Sequence, residues 1–278
     1  SFPTRRSSDL TVEVHHFIRG RNSGYLTSAL PSANLCGLMA VLLVIAAPML
    51  HILAIGLLPD TLLAPLSLGI MLMALRWLSK DRFSMSDWII TGILLGLAGL
   101  SKYTAAFTAL ALLFVFLSTP RKPWITTIGF WLAALTALLL ITPVLYWNWV
   151  NDWISFKYQL AHGGGGEWLW RRLGAYVGIQ ILVFGPLLIL GSFVFLKDCM
   201  HATKLSLLAL LGFFLIPFAI FASLSGGGGL PHWTSPAWFC LAPFAGIGLA
   251  KAWATQHRSW MRILFVIQVT LCCIGFGY

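Results

Sequence analysis

At 278 residues, 59% hydrophobic and only 9% charged, with a mean hydropathy of +0.86, the chain has too few charges for a water-soluble surface; soluble domains average about 25% charged residues. Lipid must cover much of the exterior, and the 13 Trp and 19 Phe suit a membrane–water boundary. The formal net charge of +10 would also fit nucleic acid, but the basic residues fall in short gaps between apolar runs, as loops flanking membrane spans do, so the bilayer is the expected partner and nucleic acid is not.

The opening segment Ser1-Phe2-Pro3-Thr4-Arg5-Arg6-Ser7-Ser8-Asp9-Leu10 has neither an initiator Met nor an apolar signal core and resembles translated adapter sequence. Residues 1–34 are expected to be a non-native or disordered segment, and 35–278 a transmembrane domain with outer loops at about 147–172 and 225–236. The last apolar run stops at Tyr278 in mid-span, so the chain is expected to be a fragment.

Apolar runs of spanning length follow one another. The first is Leu35 to Leu58, interrupted by Pro48 and His51, and the second Thr61 to Leu78, ending at the basic gap Lys80-Asp81-Arg82. Trp88 to Leu117 is too long for one helix. Two short helices with a turn at Ser101-Lys102-Tyr103-Thr104 keep Lys80, Arg82, Arg121 and Lys122 on one side and put Lys102 at the outer apex of a hairpin. Further runs are Trp124 to Tyr146, Ala175 to Leu196, Leu205 to Leu224, Ala237 to Ala254, and one from Ile263. The fold class expected is all-α, a polytopic transmembrane bundle of about eight membrane helices, with every inner gap basic.

Gly92 and Gly96 form a small-residue pair that lets helices approach. The runs Gly163–Gly166 and Gly226–Gly229 lack the Gly-Lys-Ser/Thr ending of a phosphate loop and read as turns. The five cysteines have no CxxC spacing, which leaves neither a zinc site nor a disulfide framework indicated.

An ionisable side chain at membrane depth marks a functional site by default. Asp60, after Pro59 at the start of a helix, is either a helix cap or a carboxylate at a cavity mouth serving as general base. Lys102 either snorkels to headgroups or binds a phosphate, with Tyr103 and Thr104 beside it. In Trp147-Asn148-Trp149-Val150-Asn151-Asp152-Trp153 an interfacial belt explains the tryptophans; sugar binding also explains Asn148 and Asp152, with Trp147 as a stacking face. Gln159, His162, Glu167, Arg171 and Arg172 extend this polar surface, and His232-Trp233 forms a second outer cluster.

The order of these motifs resembles a known family. Pro59-Asp60, then Gly96-Leu97-Ala98-Gly99-Leu100-Ser101-Lys102-Tyr103-Thr104, then Pro143, Trp147-Asn148, Asp152-Trp153-Ile154-Ser155-Phe156 and Tyr158-Gln159 are similar to glycosyltransferase family 39 and aminoarabinose-transferase-like proteins, of the GT-C superfamily and related to protein O-mannosyltransferases. The similarity runs from Leu35 to Ala254, and Pro231-His232-Trp233 resembles the family's late outer-loop motif. It implies a GT-C-like bundle that moves a sugar from a polyprenyl-phosphate donor to a lipid, glycan or protein acceptor, as in lipopolysaccharide or protein glycosylation. The active site would face the periplasm or cell exterior from the cytoplasmic (inner) membrane. Asp60 matches the family's acidic residue at the start of a mid-chain helix, and Lys102 is the residue assigned to the departing phosphate. No soluble cofactor is implied, although a divalent cation between phosphate and carboxylate is compatible with the chemistry. The family's earlier acidic motif, usually taken as the base, lies in a first outer loop that nothing before Leu35 supplies. The alternative is a transporter or flippase, which requires broken helices in matching halves with charge near mid-bilayer; a third class is a non-catalytic membrane scaffold.

Overall fold

The structure is a computed structural model and describes residues 31–79, 83–119, 124–163, 167–199, 204–226, 229–254 and 258–276. The opening 30 residues, the basic gaps at 80–82 and 121–122, His201, His257 and much of both glycine runs lie outside the described residues.

All regular structure among the described residues is helical. In chain order the helices are α1 (Ala33–Ile45), α2 (Pro48–Gly56), α3 (Pro59–Ser79), α4 (Met85–Ser101), α5 (Ala105–Leu117), α6 (Ile128–Val150), α7 (Ile154–Gly163), α8 (Trp170–Phe184), α9 (Pro186–Cys199), α10 (Lys204–Leu210), α11 (Ile216–Ser225), α12 (Ser235–Ala254) and α13 (Arg258–Phe276). A π turn, Leu211–Leu215, joins α10 to α11, and a 3-10 turn, Pro231–Thr234, leads into α12.

The expected count of about eight membrane helices requires correction. Among the described residues, four segments are long and apolar enough to span: Pro59–Ser79, Ile128–Val150, Leu207–Ser225 and Pro231–Ala254. The number rises to six if each of two bent pairs is one span. Hydropathy averaged over a run does not register where the backbone breaks. The run from Leu35 bends by 68° between α1 and α2. Pro48 disfavours helical backbone at Ala47, which is extended at φ −85°, ψ 112°. The run from Ala175 bends by 93° between α8 and α9 at Gly185-Pro186. Gly185 has φ 91°, ψ 144°, a region open essentially to glycine, and a Cβ there would overlap the Gln268 side chain. The two hairpin arms, α4 and α5, have 17 and 13 residues, about 26 and 20 Å at 1.5 Å per residue, against a hydrocarbon core of about 30 Å.

The turn after Ser101 reverses the chain. Phe116, near the end of α5, lies 5.8 Å from Trp88 at the start of α4. Both join an aromatic cluster with Trp77, Phe83, Trp124 and Phe130, in which Trp77–Phe83 and Phe116–Trp124 centroids are 5.6 and 5.5 Å apart. A capping box between Ser84 and Asp87 starts α4 at this end, and Arg76 pairs with Asp87 at 2.9 Å. The hydroxyls of Ser67 and Thr108 meet at 2.9 Å between α3 and α5. Helix α4 packs alongside α6, and a Cβ on Gly92 would come within 2.5 Å of the Ala133 carbonyl oxygen, so this contact requires glycine. Helix α12 is almost wholly buried between α1, α3 and α9. The two helix breaks meet at the buried Gln268, whose Nε2 donates to the Ala46 oxygen at 3.0 Å and whose Oε1 accepts from the Leu187 amide at 3.3 Å.

Candidate functional site

The bundle end opposite the aromatic cluster gathers the starts of α3 and α5, the end of α6 and the 3-10 turn before α12. Pro59 opens α3 because its missing N–H is one that a first turn leaves unbonded anyway, and Asp60 follows in that turn. Helix α4 ends as Lys102 turns extended, φ −162°, ψ 144°. Ser101 Oγ donates to the Pro59 oxygen at 2.6 Å, which ties this turn to the head of α3.

Lys102 Nζ consequently lies 2.7 Å from Asp60 Oδ2, and the Asp60 side chain is only 1% exposed. The Asp60 carboxylate thus bonds an ammonium, and Lys102 reaches a carboxylate within the protein. His232 Nε2 stands 3.9 Å from the same oxygen. Asp60 Oδ1 is buried with no hydrogen-bond partner. Thr104 Oγ1, Asn148 Oδ1 and Ser235 Oγ, on segments that converge at the same end, are in the same condition. A buried polar atom left unsatisfied costs about 1–3 kcal/mol, and several at one end of a bundle form a place prepared for a polar guest. Asp60 also lines a cavity of about 250 Å³ with Thr61 and His51, its other walls aliphatic apart from Phe239. The starts of α3, α5 and α12 turn positive dipole ends toward this region, and Lys102 retains ammonium protons beyond the one given to Asp60; both favour a bound anion.

Asn148 is fully buried, its Nδ2 donating to the Tyr103 hydroxyl at 3.2 Å and to the Val144 oxygen at 3.0 Å. The Tyr103 ring stacks on Phe156 at 4.6 Å. Tyr103 and Asn148 therefore join the hairpin apex to the end of α6. Helix α6 runs through Trp147 to Val150, and Trp153 N–H closes it on the Asn148 oxygen at 2.7 Å, with Asp152 and Trp153 both at positive φ. Trp147 is 51% exposed and Asp152 is exposed; Gln159 is half-buried on α7, and none of the three hydrogen-bonds or ion-pairs with Asp60 or Lys102. The His162 side chain lies outside the described residues. Trp233 is half-buried against Phe221, 6.0 Å between ring centroids.

Sequence reasoning missed Gln180. Fully buried on α8, its Oε1 accepts from Thr234 Oγ1 at 2.5 Å and Trp238 Nε1 at 2.9 Å, while Nε2 donates to the Pro231 oxygen at 3.0 Å. It braces both sides of His232. A lone Gln inside an apolar run is itself the signal that would have found it. Among the described residues no three His, Cys, Asp or Glu side chains gather to hold a metal ion.

Fold and composition together define an all-α polytopic membrane protein. Residues 31–147 match the family model described as dolichyl-phosphate-mannose-protein mannosyltransferase. The match runs from α1 into the last turns of α6 and carries Asp60 and the Lys102 turn. Over that part, somewhat under half of the chain, the protein is similar to this mannosyltransferase family. No curated protein and no solved structure matched the chain.

Proposed function

We propose that the protein is an aminoarabinose-transferase-like glycosyltransferase that moves a sugar from polyprenyl phosphate to a lipid, glycan or protein acceptor at the outer face of the cytoplasmic membrane. The observation that carries this reading is the buried Asp60 carboxylate, one oxygen held by Lys102 and the other without a partner beside a cavity. The family match over residues 31–147 supports it.

The acceptor hydroxyl gives its proton to the free oxygen of Asp60 as its own oxygen bonds to the anomeric carbon. The bond from that carbon to the phosphate oxygen breaks, and polyprenyl phosphate departs with the electron pair. Negative charge then grows on the leaving oxygen, which the Lys102 ammonium stabilises while it keeps Asp60 in place. Asn148 and Tyr103 fix the apex that carries Lys102, and His232 faces the same carboxylate oxygen from the other side. Trp147, Asp152, Gln159, His162 and Trp233 are assigned to the sugar-binding surface around this centre.

The test is transfer from radiolabelled undecaprenyl-phosphate sugars by membranes carrying the wild type, Asp60→Asn or Lys102→Ala. Losing one charge-stabilising group costs about 100- to 1000-fold in comparable sites. Transfer at the wild-type rate by both variants would refute the assignment.

A second reading, a transporter or flippase, draws on the two helices broken at Ala47 and Gly185, a form that transporters use around their binding sites. In its favour the breaks adjoin each other, but Gln268 takes up backbone groups from both, and the buried ion pair lies at helix ends. Energy-coupled lipid movement with no sugar transfer would favour it.

A further inference from the structure

A groove of about 480 Å³ lies on the side of the bundle between α1, α9, α12 and α13, away from the Asp60 cavity. Its floor is close-packed: Leu43, Leu187, Leu249 and Met261 are each under 5% exposed. Its mouth is open sideways, with Val266 62% exposed on α13. In a bilayer that mouth faces hydrocarbon. An apolar void leaves its walls without dispersion partners, and the medium that can fill it is a flexible acyl chain.

Arg262 is the one charged residue among those lining the groove. Its guanidinium sits 5.6 Å from the ring centroid of Trp253, one residue from the end of α12, and so stands level with the end of the bundle. It is exposed, and no described carboxylate stands within ion-pairing distance of it. Lys197, in the last turn of α9 and exposed, adds positive charge at the same end. An Arg fork matches phosphate oxygens in two parallel hydrogen bonds, and a basic bundle end favours a headgroup of net negative charge.

We propose that this groove binds an anionic phospholipid, one acyl chain along its floor and the phosphate on Arg262. The lipid seals α13 against the bundle at a place where protein packing is incomplete. It is independent of the sugar-transfer reading.

The experiment is native mass spectrometry of the purified, delipidated full chain titrated with palmitoyl-oleoyl phosphatidylglycerol or with the phosphatidylcholine of the same chains. The wild type should retain one phosphatidylglycerol at least about tenfold more tightly than phosphatidylcholine, the scale of one good charged contact. Arg262→Gln should bring the two lipids to parity. Val266→Trp, which fills the mouth, should weaken both, with tryptophan-fluorescence melting to establish that each variant folds. Equal retention of the two lipids by the wild type overturns the proposal on that measurement alone. A preference that survives Arg262→Gln, retention unaffected by Val266→Trp, or a dimer that forms in place of lipid binding also overturns it.

Discussion

Lys102 and Asp60 are 42 residues apart in sequence and 2.7 Å apart in space, an ammonium and a carboxylate with almost no water around the latter. Removing one partner of a buried ion pair leaves an uncompensated charge and costs about 3–5 kcal/mol. Lys102→Met should therefore lower the melting temperature of the purified chain by several degrees. The exchanged pair Asp60→Lys with Lys102→Asp should recover part of that loss without recovering sugar transfer. Melting followed by tryptophan fluorescence, beside a donor-transfer assay, separates the two effects.

Glycines in this bundle divide by what stands next to them. Gly92→Ala drives a methyl into the Ala133 backbone of α6 and should destabilise by about 1–3 kcal/mol. Gly178→Ala, with nothing within 4 Å, should be neutral or stabilise by up to about 1 kcal/mol through helix propensity. Denaturation midpoints of the two single variants, measured in one detergent, check the contrast.

Gln268→Leu removes a donor to Ala46 and an acceptor for Leu187, leaving backbone groups at both helix breaks unpaired. About 1–3 kcal/mol is expected for each. Hydrogen exchange should rise at Leu187 before it rises in the interior of α12.

Gln180→Leu strips Trp238 Nε1 of its acceptor and takes one partner each from Thr234 Oγ1 and the Pro231 oxygen, which keep their 3.2 Å bond to each other. Loosening the turn that carries His232 should reduce transfer more than Gln180→Leu reduces stability. The pair of measurements is the initial transfer rate and the melting temperature. Equal, small effects on both would show that the brace does not reach the site.

Single cysteines at Asn151 and Glu167, both exposed near the Asp60 end, should react with a membrane-impermeant maleimide from one side, and a cysteine at exposed Lys197 from the other. In the background Cys199, Cys272 and the exposed Cys273 are replaced by Ser, and Cys36 and Cys240 are buried. Labelling of 151 and 167 from opposite faces would separate the elements that the candidate site requires together.

Composition alone established the membrane class, because 9% charged residues cannot clothe a soluble surface. Run length combined with charge placed the reversal at Ser101–Thr104, and the cost of an ionisable side chain in lipid drew attention to Asp60 and Lys102. These are local properties, sums over neighbours in the chain. The number of spans was not legible, since a hydropathy sum passes over the bends at Ala47 and Gly185 and over helix ends that leave the hairpin arms α4 and α5 only 17 and 13 residues long. Nor was the pairing of Lys102 with Asp60, the hold of Asn148 on Tyr103, or the use of Gln180 and Gln268 as braces. Those depend on which helices become neighbours. That choice follows from close contacts such as Gly92 on Ala133, and from the need of each buried polar group for a partner that the sequence holds elsewhere.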